Sequence, residues 1–198
     1  PISDTHDYGP VDMRRLLVKS SNIGAAKLAA MMSNGHMYSV LDRFGFGERT
    51  QSGFPGESAA VLSAPNKWGP VEKATISYGY GLSVTPLQLA QAYAALANNG
   101  VMVDTTFIKG GAVHRHKAVD SAISSQVLHM LEGVTEVGGT ATRAAIKGYR
   151  VAGKTGTSRR AVAGGYEKRY ISLFAGVVPV ENPQFAMVVV VHERTNGA

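Results

Sequence analysis

The stretch Gly153-Lys154-Thr155-Gly156-Thr157-Ser158 decides how the chain folds, because it admits two incompatible readings. With Gly148 upstream it completes Gly-x-x-x-x-Gly-Lys-Thr, a loop whose backbone cradles phosphates at the start of a helix. Read alone, it sets a cation, two hydroxyls and a residue without a side chain along one strand edge. The flanking residues choose between the two. Tyr149-Arg150-Val151-Ala152, between the glycines, favour strand over tight turn, and Ser158-Arg159-Arg160 offers no apolar repeat from which a helix could form. A phosphate loop needs that helix, whose N-terminus holds the phosphate charge. It also needs an apolar strand ending in Asp for magnesium, whereas Val191 is followed by His192-Glu193. A P-loop nucleotide hydrolase is therefore disfavoured.

Three strands are expected around the motif, over residues 148–158, 169–178 and 184–193. Their connections, Arg159 to Lys168 with Gly164-Gly165 and Pro179 to Pro183, are short enough for an antiparallel meander. Phe185 to Val191 is almost wholly apolar, so both faces of that strand expect cover. Helices from earlier in the chain can supply one face, and nothing after the strand within this chain supplies the other.

Before Lys147 the periodicity is helical. Val11 to Val18 reads as a short helix, and Ile23 to Met32 as an Ala-rich one with Ile23, Ala26 and Ala30 on one face. Ser20-Ser21-Asn22 between them reads first as an N-cap. Asn34-Gly35 is expected to break the helix, Met37 to Phe44 to form another, and residues 45–70, with Trp68 as the only indole, to be loop. Gly45-Phe46-Gly47 lacks the third glycine of a dinucleotide fingerprint. Thr85, Pro86 and Gln88 form a capping box ahead of a helix whose buried stripe is expected at Leu87, Ala90, Ala94 and Ala97, ending at Asn98-Asn99-Gly100. His114 and His116 lack a third ligand, so no metal site is expected. Asp120 is expected to cap a helix with Ile123, Val127, Met130, Leu131 and Val134 on one face, closed by Gly138-Gly139-Thr140.

Bulk properties narrow the classes. The 198 residues suit one ordinary domain, divided into a mainly helical part (1–146) and antiparallel strands (147–198). The 20 Lys+Arg against 14 Asp+Glu make a modest basic excess of +6, without the basic runs and interleaved aromatics of a nucleic-acid binder. The absence of Cys rules out disulfides and thiolate catalysis. No apolar run approaches the roughly 20 residues that span a bilayer. Starting at Pro1 with neither initiator Met nor signal sequence, the chain reads as a mature product or a piece of something longer.

Ser20-x-Asn22 followed by Lys154-Thr155-Gly156 is the order of the second and third motifs of the class B penicillin-binding proteins, after a first motif Ser-x-x-Lys. Lys19-Ser20-Ser21-Asn22-Ile23-Gly24, Phe44-Gly45-Phe46-Gly47, Phe54-Pro55-Gly56-Glu57 and Ser77-Tyr78-Gly79-Tyr80-Gly81-Leu82 resemble the division-specific (septal) transpeptidases of that class. So do Thr85-Pro86-Leu87-Gln88-Leu89, Gly138-Gly139-Thr140 and Ala152 to Thr157, so the resemblance runs from about Tyr8 to Glu193.

The resemblance implies an α+β fold of the penicillin-binding protein/serine β-lactamase kind: an antiparallel sheet packed against helices, with a helical subdomain, here truncated at both ends. It implies a peptidoglycan D,D-transpeptidase, without cofactor, that acts on D-Ala-D-Ala stem peptides and is acylated by β-lactam antibiotics. Its implied place is the periplasmic face of the bacterial inner membrane, on an N-terminal membrane helix outside this chain and among cell-division proteins. The catalytic positions it implies are Ser20, which relays a proton, Asn22, which bonds the donor amide, Lys154, and Thr157, whose N–H is half of an oxyanion hole. Thr155 and Gly156 would bind substrate at the strand edge, and Tyr78 and Tyr80 would wall the cleft. Against this stands one departure: no Ser-x-x-Lys occurs in the chain, Ser63-Ala64-Pro65-Asn66-Lys67 being one residue too long. The nucleophile is thus expected on a missing N-terminal segment of the same domain. Three alternatives use the same residues: a serine β-lactamase or β-lactam sensor, a DD-carboxypeptidase, and a non-catalytic fragment that binds division proteins.

Overall fold

The computed structural model describes residues 1–162 and 165–194, with side chains outside 159–168 and 193–194. The helices are α1 (Met13–Lys19), α2 (Asn22–Ala30), α3 (Asn34–Arg43), α4 (Pro70–Ser77), α5 (Pro86–Ala97) and α6 (Ser121–Glu132). Two small antiparallel pairs lie among them: β1 (Val61–Leu62) with β2 (Leu82–Ser83), and β3 (Val101–Val103) with β4 (Arg115–Lys117). The main sheet is β5 (Ala152–Val162), β6 (Gly165–Val178) and β7 (Phe185–Arg194), antiparallel in the order β5-β6-β7.

β5 settles the opening ambiguity. Gly148 takes the left-handed conformation (φ 85°) in a tight turn bridged by Ile146 and Tyr149, and the chain then runs extended through Lys154 to Val162. Among the described residues no helix follows the motif, and Lys154 to Val162 run as strand rather than as a phosphate loop. The expected connection Arg159 to Lys168 is largely strand instead, with Ala161 opposite Tyr166 and Val162 opposite Gly165. Antiparallel pairing continues as far as Val162 and Gly165, and Gly164 of the expected turn lies outside the described residues.

The sheet and the last helices share one core. Leu128, Leu131 and Val134 from α6 and its end pack with Ala141, Ala152 and Val177. Burying each such Leu or Val stabilises the fold by roughly 1.5–3 kcal/mol. Tyr93 of α5 packs on the same cluster, and burial pushes its phenol up to about 12. A second cluster (Ala29, Met37, Trp68, Ile76) joins α2, α3 and α4, with Trp68 Nε1 donating to Ser63 O at 2.9 Å.

Several helical expectations are corrected. Asn34-Gly35 opens α3 rather than breaking a helix, because Ser33 accepts from His36 N and caps it. Residues 70–77 form α4, entered through Gly69 and Pro70, although only Ile76 of it is fully buried. α5 buries Gln88, Ala92 and Ala95, while Leu87, Ala90 and Ala97 are half-buried and Ala94 is exposed. α6 buries Ser124, Leu128, Leu131 and Glu132 and leaves Ile123 exposed. Asp120 stands at its N-cap position, its carbonyl accepting from Ser124 N, but its side chain pairs with Lys117 instead of capping the helix. β7 is covered on one side only: α5 packs against it, while Phe185, Met187, Val189 and Val191 on the other side are about half or more exposed.

Gln88 is the buried polar pin of this arrangement. Its Oε1 accepts from Thr85 N at 2.6 Å, and its Nε2 donates to Glu48 O. Gln88→Ala leaves both backbone groups without that partner and should cost about 1–3 kcal/mol. Urea denaturation will test this, and a loss below about 0.5 kcal/mol, the range of neutral surface changes, would contradict it.

Candidate active site

Two helices meet with only Ser20 and Ser21 between them, and the two serines do different work. Ser21 is the N-cap of α2, its Oγ accepting from Gly24 N at 2.9 Å. Ser20 closes α1 in the left-handed region (φ 57°, ψ 48°), with its N–H on Leu17 O at 3.2 Å. A residue with a Cβ is uncommon there, and such positions are enriched at functional sites. The capping role thus belongs to Ser21, which leaves the Ser20 hydroxyl available.

Asp4, upstream of α1, braces this junction. Its carboxylate accepts from Ser21 Oγ (2.6 Å), Asn22 N (2.6 Å) and Ile23 N (3.1 Å). Burial would raise its carboxyl, but the bonds from Ser21, Ile23 and Asn22 together hold it below the usual range. The Asn22 side chain donates to Ser3 O at 3.4 Å.

The second half of the site comes from β5. Its entry is fixed to α6: Glu132 takes both Arg150 Nε (2.8 Å) and Nη2 (2.7 Å), and Thr135 Oγ1 donates to Val151 O at 2.8 Å. Gly153 must lack a side chain, since a Cβ there would stand 2.4 Å from the Phe174 ring. From this base Lys154 reaches across to Ser20, Nζ donating to Oγ at 2.7 Å and to Thr155 O at 3.2 Å. Among the described residues it makes no ion pair. Burial pushes its ammonium down from the ordinary 10.5 to about 8.

Thr155 and Thr157 lie two apart on β5 and so share a face. Thr155 Oγ1 lies 2.9 Å from Thr140 Oγ1, and Thr157 is exposed. A Cβ on Gly156 would meet Leu173 Cγ at 3.0 Å, so the space left by its missing side chain is taken by the neighbouring strand. β5 is an edge of the three-stranded sheet. The structure therefore brings Ser20, Lys154 and Thr155 together. Tyr78 and Tyr80 pack edge to face (centroids 6.0 Å apart) at the end of α4, an element that packs on α2. Sequence reasoning missed Asp4 altogether and gave Thr140 no role. For Asp4 no local pattern signals a cap from 18 residues upstream, whereas Gly138-Gly139-Thr140 was visible as a motif.

The family described as the penicillin-binding protein transpeptidase domain matches residues 2–198. The chain belongs to that family. Among curated relatives, it is 40% identical over 197 residues to the probable peptidoglycan D,D-transpeptidase PenA of Neisseria meningitidis, covering 98% of this chain and 34% of the relative. It is 39% identical over 198 residues to the peptidoglycan D,D-transpeptidase FtsI of Escherichia coli K12, covering 99% and 34%. The chain thus spans about a third of the length of these relatives. Among solved structures, the apo transpeptidase domain of Burkholderia pseudomallei penicillin-binding protein 3 superposes with a TM-score of 0.93 at 38% identity, over 100% of this chain and 61% of that one. Penicillin-binding protein 3 of Mycobacterium tuberculosis, complexed with aztreonam, gives 0.90 at 29% identity, over 98% and 48%. The α+β class expected from the sequence agrees with these folds.

Two outcomes follow from this geometry. Ser20→Gly removes the hydroxyl but suits the left-handed backbone, whereas Ser20→Ala keeps the Cβ and loses the bond. Gly should therefore be the more stable variant by about 1 kcal/mol, as calorimetry can check, and equal stabilities would deny backbone strain at Ser20. Lys154 should titrate near 8 in the folded protein, followed by NMR of its 13Cε. Between pH 8 and 10.5 the unfolded chain holds more of this proton than the folded one, so the Lys154 contribution makes stability rise with pH across that window. A midpoint at 10 or above would mean the cation is not desolvated.

Proposed function

We propose that this chain carries the second and third motif segments of a serine-type peptidoglycan D,D-transpeptidase that cross-links stem peptides during division. The observation that carries the reading is the pairing of Lys154 with Ser20: a half-buried ammonium on the edge strand β5, unpaired with acid among the described residues, 2.7 Å from the Ser20 hydroxyl at the end of α1. Such a cation attracts an anion, and a D-Ala-D-Ala stem peptide ends in a carboxylate. Thr155 and Thr157 add hydroxyl donors on the same strand. An extended peptide can lie along the β5 edge by adding its own backbone hydrogen bonds. The relatives named as D,D-transpeptidases support the substrate class.

In this reading a serine supplied from outside these 198 residues attacks the penultimate D-Ala carbonyl. Its C–O bond forms as the peptide C–N bond breaks, and the leaving D-Ala amine takes up a proton. Ser20, held by Lys154, passes that proton. The Thr157 N–H steadies the oxyanion, and loss of one such donor typically costs about 2.7–4 kcal/mol of barrier. Asn22 holds the donor amide. An acceptor amine then attacks the ester carbonyl, forming the cross-link, and returns a proton to the serine. β-Lactams enter the same first step and remain as the acyl-enzyme. Tyr78 and Tyr80 wall the cleft, and the Gly156 backbone binds substrate along the strand edge. The reading places the whole protein on the periplasmic face of the inner membrane, anchored by a helix outside this chain and working with cell-division proteins.

Labelled penicillin tests it. The isolated chain should form no covalent adduct, and the complete protein should form one; an adduct on the chain alone would overturn the placement of the nucleophile. In the complete protein Lys154→Ala should slow acylation at least about 100-fold, the size seen when one preorganised donor is lost, with its melting temperature kept. Near-normal acylation would return Lys154 to a structural role.

A further inference from the structure

The Gly138-Gly139-Thr140 turn touches both halves of the site. Lys19, next to Ser20, donates from Nζ to Gly138 O at 2.8 Å. Two residues on, Thr140 Oγ1 lies 2.9 Å from Thr155 Oγ1. The turn is held to the core. Ala141 N donates to Val134 O at 2.8 Å and its side chain is buried with Val134 and Ala152. A Cβ on Gly139 would stand 2.1 Å from Val134 O, so the chain passes this point as glycine or not at all. Thr140 is thereby presented to Thr155 from a fixed base.

A threonine hydroxyl has one proton and rotates about its C–O bond. When Thr155 donates to Thr140, its lone pairs face an incoming group. When Thr140 donates to Thr155, the Thr155 proton is free to point outward. An anion favours the second arrangement, which forms a chain of donors from Thr140 through Thr155 to the anion, each bond polarising the next. We infer that Thr140 is a positioning residue that sets Thr155 as a donor and thereby selects donors that end in a carboxylate. This rests on the acyl-transfer reading above. Thr140 touches no substrate atom in this scheme; it acts through Thr155.

The test uses the complete protein with benzylpenicillin and its methyl ester, whose carboxylate is masked. Stopped-flow acylation separates the dissociation constant of the first complex from the limiting acylation rate. Thr140→Val keeps the shape and removes the hydroxyl. It should weaken binding of the acid about five- to tenfold, the worth of one net hydrogen bond, with the limiting rate within twofold and the ester unaffected. Thr140→Ser should restore the acid to near wild type. The inference is overturned if Thr140→Val binds the acid normally, if acid and ester weaken alike, or if Thr140→Ser fails to rescue. A wild-type protein that forms no adduct with penicillin would instead overturn the acyl-transfer reading, and this inference with it.

Discussion

One hydrogen bond, from Lys154 Nζ to Ser20 Oγ, joins residues 134 positions apart and depends on nearly every other feature described. It needs Ser20 in a backbone conformation that few residues with a Cβ adopt, and two helices that stop and start within two residues to put it there. It needs β5 entered at the right height, which the Glu132–Arg150 clamp and the Ala152 contact with α6 provide. The bond also explains why the lysine stays desolvated without an acid beside it. Among the described residues a hydroxyl and a carbonyl accept from its ammonium.

The charges at the junction of α1 and α2 are partly balanced within the protein. The N-terminus of α2 carries the positive end of the helix dipole, and by itself it would compete for a carboxylate. Asp4 already occupies that end, bonded to Ser21, Asn22 and Ile23. The protein thus supplies its own anion at the helix, while Lys154, 2.7 Å from Ser20, makes no ion pair among the described residues.

What was legible in the sequence follows from how local each signal is. The capping box at Thr85 and Gln88 was readable because it closes within four residues. The strand expected from Gly148 begins only at Ala152, because Tyr149 closes a tight turn against Ile146. Ser20-x-Asn22 and Lys154-Thr155-Gly156 were readable as a pair through family resemblance, and the contact between Ser20 and Lys154 agrees with that pairing. The burial stripe on α5 was misplaced by a position, and so was the first part of that on α6, where Leu131 and Val134 are buried as expected, because helical periodicity defines a face only to about one residue. The neighbouring elements then choose, and small residues such as Ala92 and Ala95 let them approach. Asp4 was invisible for the opposite reason: its role exists only after the chain has folded back across α1.

β7 carries a physical liability. Four apolar side chains on one face, at Phe185, Met187, Val189 and Val191, stand open on a strand that is also an edge of the described sheet. Such a stripe offers both a greasy surface and a row of backbone groups to any second chain. Self-association grows with concentration while folding does not. The yield of soluble material from refolding should therefore fall as the protein is concentrated, and this strand is the place where a charged replacement on the outer face would slow that loss.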